Sequence, residues 1–179
     1  MAVSQRSRFL LVVAVNVGLA IASVWILRSM PPPAPSDASY LLVFLATAFS
    51  SSTPFFTAPA QLIVLELGGH LPGLPLVAAA GLGSTVGELP MFWLGREGGS
   101  LDVVSRVIGR ARAKAWWSRI ERAGPWGLIA IATVPNPFLD PVSIAAGMSG
   151  MRFVHYLPAI LVGRTLRFAI LAGIGHRLG

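Results

Sequence analysis

Of the 179 residues, 54% are hydrophobic and 12% are charged, well below the roughly 25% charged residues of a soluble domain. The apolar residues come in blocks long enough to span lipid, so the formal charge of +7 points to anionic headgroups and away from nucleic acid. The absence of cysteine excludes disulfides and thiolate metal or redox sites.

Residues 9–27 are apolar apart from Asn16 and Ser23 and follow a short basic start. At about 1.5 Å per residue they reach roughly 28 Å, nearly a bilayer core. The apolar run is long for a signal peptide, so an uncleaved N-terminal transmembrane helix is expected. A Pro-rich linker closes this first unit, 1–39.

The rest of the chain, 40–179, reads as one membrane domain. Block 40–66 is two apolar arms parted by a Ser/Thr run, with Pro54 and Pro59 as breaks. Each arm is too short to cross alone. One reading is a single kinked span and the other is a re-entrant hairpin. Segment 71–95 is long enough to span and carries Glu88 and the small-residue pair Gly83 and Gly87. Segment 96–122 is strongly basic. Arg106, Arg110 and Lys114 recur at helical spacing, and Trp116-Trp117 suit an anchor in the headgroup layer. Block 123–150 is again apolar and is broken by Pro135-Asn136-Pro137. Segment 153–175 spans and carries Arg164 and Arg167.

Charge bias sets the expected orientation. The basic 96–122 loop and the N-terminus, with Arg6 and Arg8, belong in the cytoplasm. Block 40–66 then begins and ends outside, which requires a hairpin. By the same argument block 123–150 begins and ends inside. The expectation is an all-α polytopic membrane protein. It is an inverted repeat of two opposed re-entrant hairpins, each followed by a transmembrane helix.

Charges inside a membrane are costly and default to function. Glu88 and Arg164 fall at similar depths, and Arg167 shares a helix face with Arg164. Two arginines there can hold a lipid phosphate. The competing role is structural pairing with Glu88 and Asp140. Asp140 is placed to accept hydrogen bonds from backbone donors freed at the break, or to carry a proton. Asn136 either caps a helix start or contacts substrate. Gln61, Glu66 and Arg96 are secondary candidates. Glu66 is expected near the outer face, meeting water, and His155 and Tyr156 at the inner interface. The scattered histidines give no metal signal, and no nucleotide motif or other cofactor site appears. Any transport is therefore downhill or driven by a gradient.

Two runs resemble the DedA superfamily, also called the SNARE-associated or VTT domain. One is GSTVGELPMFWLGREGG, 83–99, in which Gly83, Gly87, Glu88, Phe92, Gly95, Arg96 and Gly99 fit the family pattern. The other is GPWGLIAIATVPNPFLDPVSIAAGMSGMRF, 124–153, whose PNPFLD resembles the eukaryotic vacuole membrane protein branch. The resemblance implies the opposed-hairpin fold. It also implies a lipid-moving function: proton-linked translocation in bacterial relatives, ATP-independent phospholipid scrambling in eukaryotic ones. Gln61 stands where the bacterial pattern has an acid, and Thr133-Val134 precede Pro135 where it has an arginine. These departures favour a phospholipid scramblase. A proton-coupled translocase of undecaprenyl phosphate or another anionic lipid is the first alternative. A non-transporting structural or lipid-sensing factor is the second. The small size and the lack of a eukaryotic-style extension suggest a prokaryotic plasma membrane.

Overall fold

The computed structural model describes residues 5–29, 31, 33–52, 58–97, 110–135 and 141–178. Among them the chain is all helix: α1 (Gln5–Ser29), α2 (Asp37–Ser51), α3 (Ala58–Leu67), α4 (Gly73–Arg96), α5 (Arg110–Thr133), α6 (Val142–Met148) and α7 (Phe153–Leu178).

Local chemistry sets several of these ends. Ser36 caps α2, its side chain accepting from the Ser39 amide, and Asp37 adds a negative charge to the first turn. Pro59 does not break a helix, as its sequence context suggests. It sits in the first turn of α3, where a missing N–H leaves no hydrogen bond unmade. Pro54 and Pro137 lie outside the described residues, and Pro135 is exposed just beyond α5. Within α5 the backbone turns at Gly124 (φ 59°, ψ −150°), a conformation open to glycine because it lacks a Cβ. Pro125 then starts the second stretch, 125–133, with its φ already set for helix. Gly150 (φ 74°) makes the turn from α6 into α7.

Among the described residues, α7 is the helix long and apolar enough to cross a membrane. Its 26 residues reach about 39 Å, beyond the ~30 Å hydrocarbon core. α2 and α3 are shorter apolar helices. α4 has the length, but Ser84, Thr85 and Glu88 on its buried side lower its hydropathy.

α4 and α7 form the central pair and run antiparallel. Phe92 near the end of α4 packs with Tyr156 near the start of α7. Leu76 and Ala80 near the start of α4 pack with Phe168, Leu171 and Ala172 near the end of α7. Around this pair the remaining arms exchange partners. α2 lies on α4 while α3 lies on α7; α5 lies on α7 while α6 lies on α4.

Each of these four contacts is made over glycine. A Cβ on Gly83 or Gly87 of α4 would strike the carbonyl of Phe44 or Ala48 in α2. One on Gly175 of α7 would strike the Leu65 carbonyl of α3. Gly95 of α4 lies against the Ile144 carbonyl of α6, and Gly163 of α7 against Ala132 of α5. In lipid, apolar burial does not drive helices together, and close van der Waals approach takes its place.

Candidate functional site

The middle of the α4–α7 pair holds the buried charges. Glu88 is 4% exposed, Arg164 2% and Arg167 1%. Glu88 and Arg164 form an ion pair across the two helices. The other Glu88 oxygen accepts a hydrogen bond from the Ser143 hydroxyl in α6. Ser143 accepts in turn from the Tyr156 hydroxyl of α7 at 2.8 Å. Three helices thus converge on one carboxylate. Glu88, Arg164 and Arg167 each make further interactions as well.

The sequence folds this way because α4 is polar along one side. Ser84 and Glu88 are four residues apart and share that side. Ser84 exchanges a 2.8 Å hydrogen bond with Ser51 at the end of α2. Thr47 and Thr85 are buried nearby on the same helices and return their hydroxyls to backbone carbonyls one turn back. Apolar residues surround the cluster: Val142, Ala145 and Ala146 on α6, Ala159 and Ile160 on α7. A polar group in such surroundings is costly unless paired, and charge-assisted pairs are the strong ones. The arrangement is a compact, buried polar centre inside an apolar bundle.

The structure brings together only part of what the sequence nominates. Glu88, Arg164 and Arg167 share the interior. Gln61 is buried on α3 and also has a partner. Glu66 does not simply meet water. Its two oxygens accept from Arg28 Nε at 2.8 Å and Nη2 at 3.0 Å, tying α1 to α3. That bidentate pair, led by its hydrogen bonds, holds the Glu66 carboxyl below the usual carboxylate range. Arg96 is exposed at the end of α4, its guanidinium 5.8 Å from the centre of the Trp93 ring, and so stands apart from the buried charges. Asn136 and Asp140 lie outside the described residues, as do Arg106 and the side chains of Lys114 and Trp116-Trp117.

Sequence reasoning missed Ser143, Ser51 and Ser84. Tyr156, expected at the interface, is instead buried, because its ring stacks on Phe92 with centroids 4.1 Å apart and draws the hydroxyl inward. The available signal was faint: Ser143 is the lone hydroxyl in the apolar run VSIAAGM.

Among the described residues, fold and centre together define an all-helical membrane protein with Glu88, Arg164 and Arg167 buried in its interior. The VTT domain model matches residues 58–177, most of the chain, and the chain belongs to the VTT-domain family. It is similar to vacuole membrane protein KMS1 of Arabidopsis thaliana, at 26% identity over 120 residues. That alignment covers 57% of this chain and 29% of KMS1, so the chain spans under a third of its relative. No solved structure matches the chain. Membership places the chain among VTT-domain membrane proteins. Among the described residues no group of three or more His, Cys, Asp or Glu could hold a metal ion.

Proposed function

We propose that the chain is an ATP-independent phospholipid scramblase. The observation that carries this reading is the Glu88–Arg164 pair with Ser143 and Tyr156, buried between α4, α6 and α7. Evenly apolar packing would hold the same helices at less cost, since replacing a buried ion pair by well-packed apolar residues is often neutral or stabilising. A polar centre at this depth lowers the barrier to a headgroup, while acyl tails stay in the surrounding lipid.

In this reading, α2–α3 and the second part of α5 with α6 are opposed re-entrant hairpins, and α1, α4 and α7 cross. The exchange of partners around α4 and α7 supports an inverted repeat. The matched spacing of Gly83 and Gly95 on α4 with Gly163 and Gly175 on α7 supports it too. The N-terminus and the 96–122 segment face the cytoplasm. The path runs past Glu88, Arg164 and Arg167, and the sequence nominates Asn136 and Asp140 as further residues of it. Glu88 favours one further reading, a proton-coupled translocase of an anionic lipid such as undecaprenyl phosphate, since a membrane carboxylate can carry a proton.

Reconstitution separates the two. Scrambling predicts that fluorescent phospholipid in liposomes becomes accessible to an impermeant quencher from both leaflets, without nucleotide or gradient. Lipid that stays half protected contradicts it. Net transport that appears only under a pH gradient favours the translocase.

A further inference from the structure

One end of the bundle gathers aromatic rings and cations. Phe92 and Tyr156 stack inside, and Trp93 stacks on Phe153 outside them, with centroids 5.7 Å apart. The inner pair is buried, whereas Trp93 is 46% exposed and Phe153 half-buried. Arg96 lies against the Trp93 ring. A guanidinium stacked on an aromatic face keeps its N–H groups in its own plane, at the ring's margin, where a phosphate can take them two at a time. Arg152 is exposed immediately before Phe153, and His155 is exposed one turn on.

A third element reaches the same end. Leu128 of α5 packs with Phe92 and Tyr156, so Trp126, two residues earlier and 81% exposed, stands beside them in height. Arg122 is exposed just before the Gly124 turn. Against these cations this end sets the exposed Glu97, and Glu121 precedes Arg122 in α5. At the opposite end the Arg28 guanidinium is engaged by Glu66.

Half-exposed tryptophans at the end of a membrane-crossing helix belong at headgroup depth. Arginines beside them meet phosphates there, and a positive surplus selects lipids of net negative headgroup. The geometry points to a seat for an anionic phospholipid headgroup at this end, built by Arg96 over Trp93 with Arg152 beside Phe153. Trp126 and Arg122 extend it along α5. The seat is distinct from the buried Glu88 centre and does not require that the protein move lipid.

The test is lipid retention by the full chain, released from detergent micelles in native mass spectrometry. The micelles carry equal amounts of phosphatidylglycerol and phosphatidylcholine. Wild type is expected to retain phosphatidylglycerol at least threefold over phosphatidylcholine. Arg96→Gln with Arg152→Gln should bring the ratio near one, and Trp93→Leu should lower it in part. Arg96→Lys, which keeps the charge and loses the fork, should fall between. Arg177→Gln at the opposite end should match wild type. Equal retention of the two lipids by wild type overturns the proposal. So does an unchanged ratio in the double variant, or an equal loss in Arg177→Gln. None of these results depends on the liposome exchange assay, so this seat and the scramblase reading can fail separately.

Discussion

Glu88 is gripped from α7 by Arg164 and from α6 by Ser143, and Tyr156 holds Ser143 in turn. Removing one partner of a buried pair strands the other charge. Glu88→Gln or Arg164→Gln should each cost about 3–5 kcal/mol of stability. The double variant should cost clearly less than the sum, because neither charge is then left opposite a neutral partner. Thermal unfolding in detergent gives the cycle, and strict additivity would show that the two side chains do not interact. Tyr156→Phe keeps the stack on Phe92 and loses one hydrogen bond, a change of about 1 kcal/mol. At this scale the charged half of the centre was legible. Glutamate and arginine stand out in an apolar block because membrane charge is rare. The hydroxyl half was not legible, because a serine in a short apolar helix looks the same whether it packs, bonds its own backbone or holds a distant carboxylate. The Glu66–Arg28 pair was hidden for a related reason: its partners lie 38 positions apart, and no periodicity joins them.

The glycines are of two kinds, those at close helix contacts and those facing open space, and substitutions should separate them. Gly87→Val puts a branched side chain into the Ala48 carbonyl, so α2 must move off α4. It should prevent folding or lower the thermal midpoint by many degrees. Gly173 has nothing within 4 Å of the Cβ position and sits in the interior of α7. Gly173→Ala should therefore stabilise by about 0.5–1 kcal/mol, since alanine gives up less backbone freedom on folding. Equal effects of the two would mean that α2 and α4 do not approach this closely. The apolar blocks 71–95 and 153–175 coincide with α4 and α7, whereas the prolines were a poorer guide, since Pro59 starts a helix where a break was expected. The exchange of arms between the halves was not, because each arm is apolar on several sides and nothing local names its partner. The repeated glycine spacing along α4 and α7 was the signal for it. It is visible in the sequence but gains meaning only once those two helices are known to be the central pair.

Across the whole molecule, α1 is fastened at its end by the Arg28–Glu66 pair. The Glu66 carboxyl is lower in the folded state than in the unfolded chain, with its hydrogen bonds to Arg28 the main cause. Its contribution is therefore present above the ordinary carboxylate range and is lost as pH falls through the lowered value. A spin label at Trp25 should stay restrained at neutral pH and loosen only in acid. In Glu66→Gln it should be looser and insensitive to pH, and an unchanged acid transition in that variant would assign the effect to another group. The central claim concerns the inside of the bundle: a polar centre lets headgroups cross. Its most direct measurement is lipid exchange per folded molecule in liposomes, for wild type and for the Glu88→Gln, Arg164→Gln double variant, both purified as monodisperse protein. The account predicts that wild type exposes labelled phospholipid of both leaflets without nucleotide or gradient, and that the double variant falls at least tenfold. Wild-type exchange in the double variant, or half-protected lipid with wild type, would contradict it.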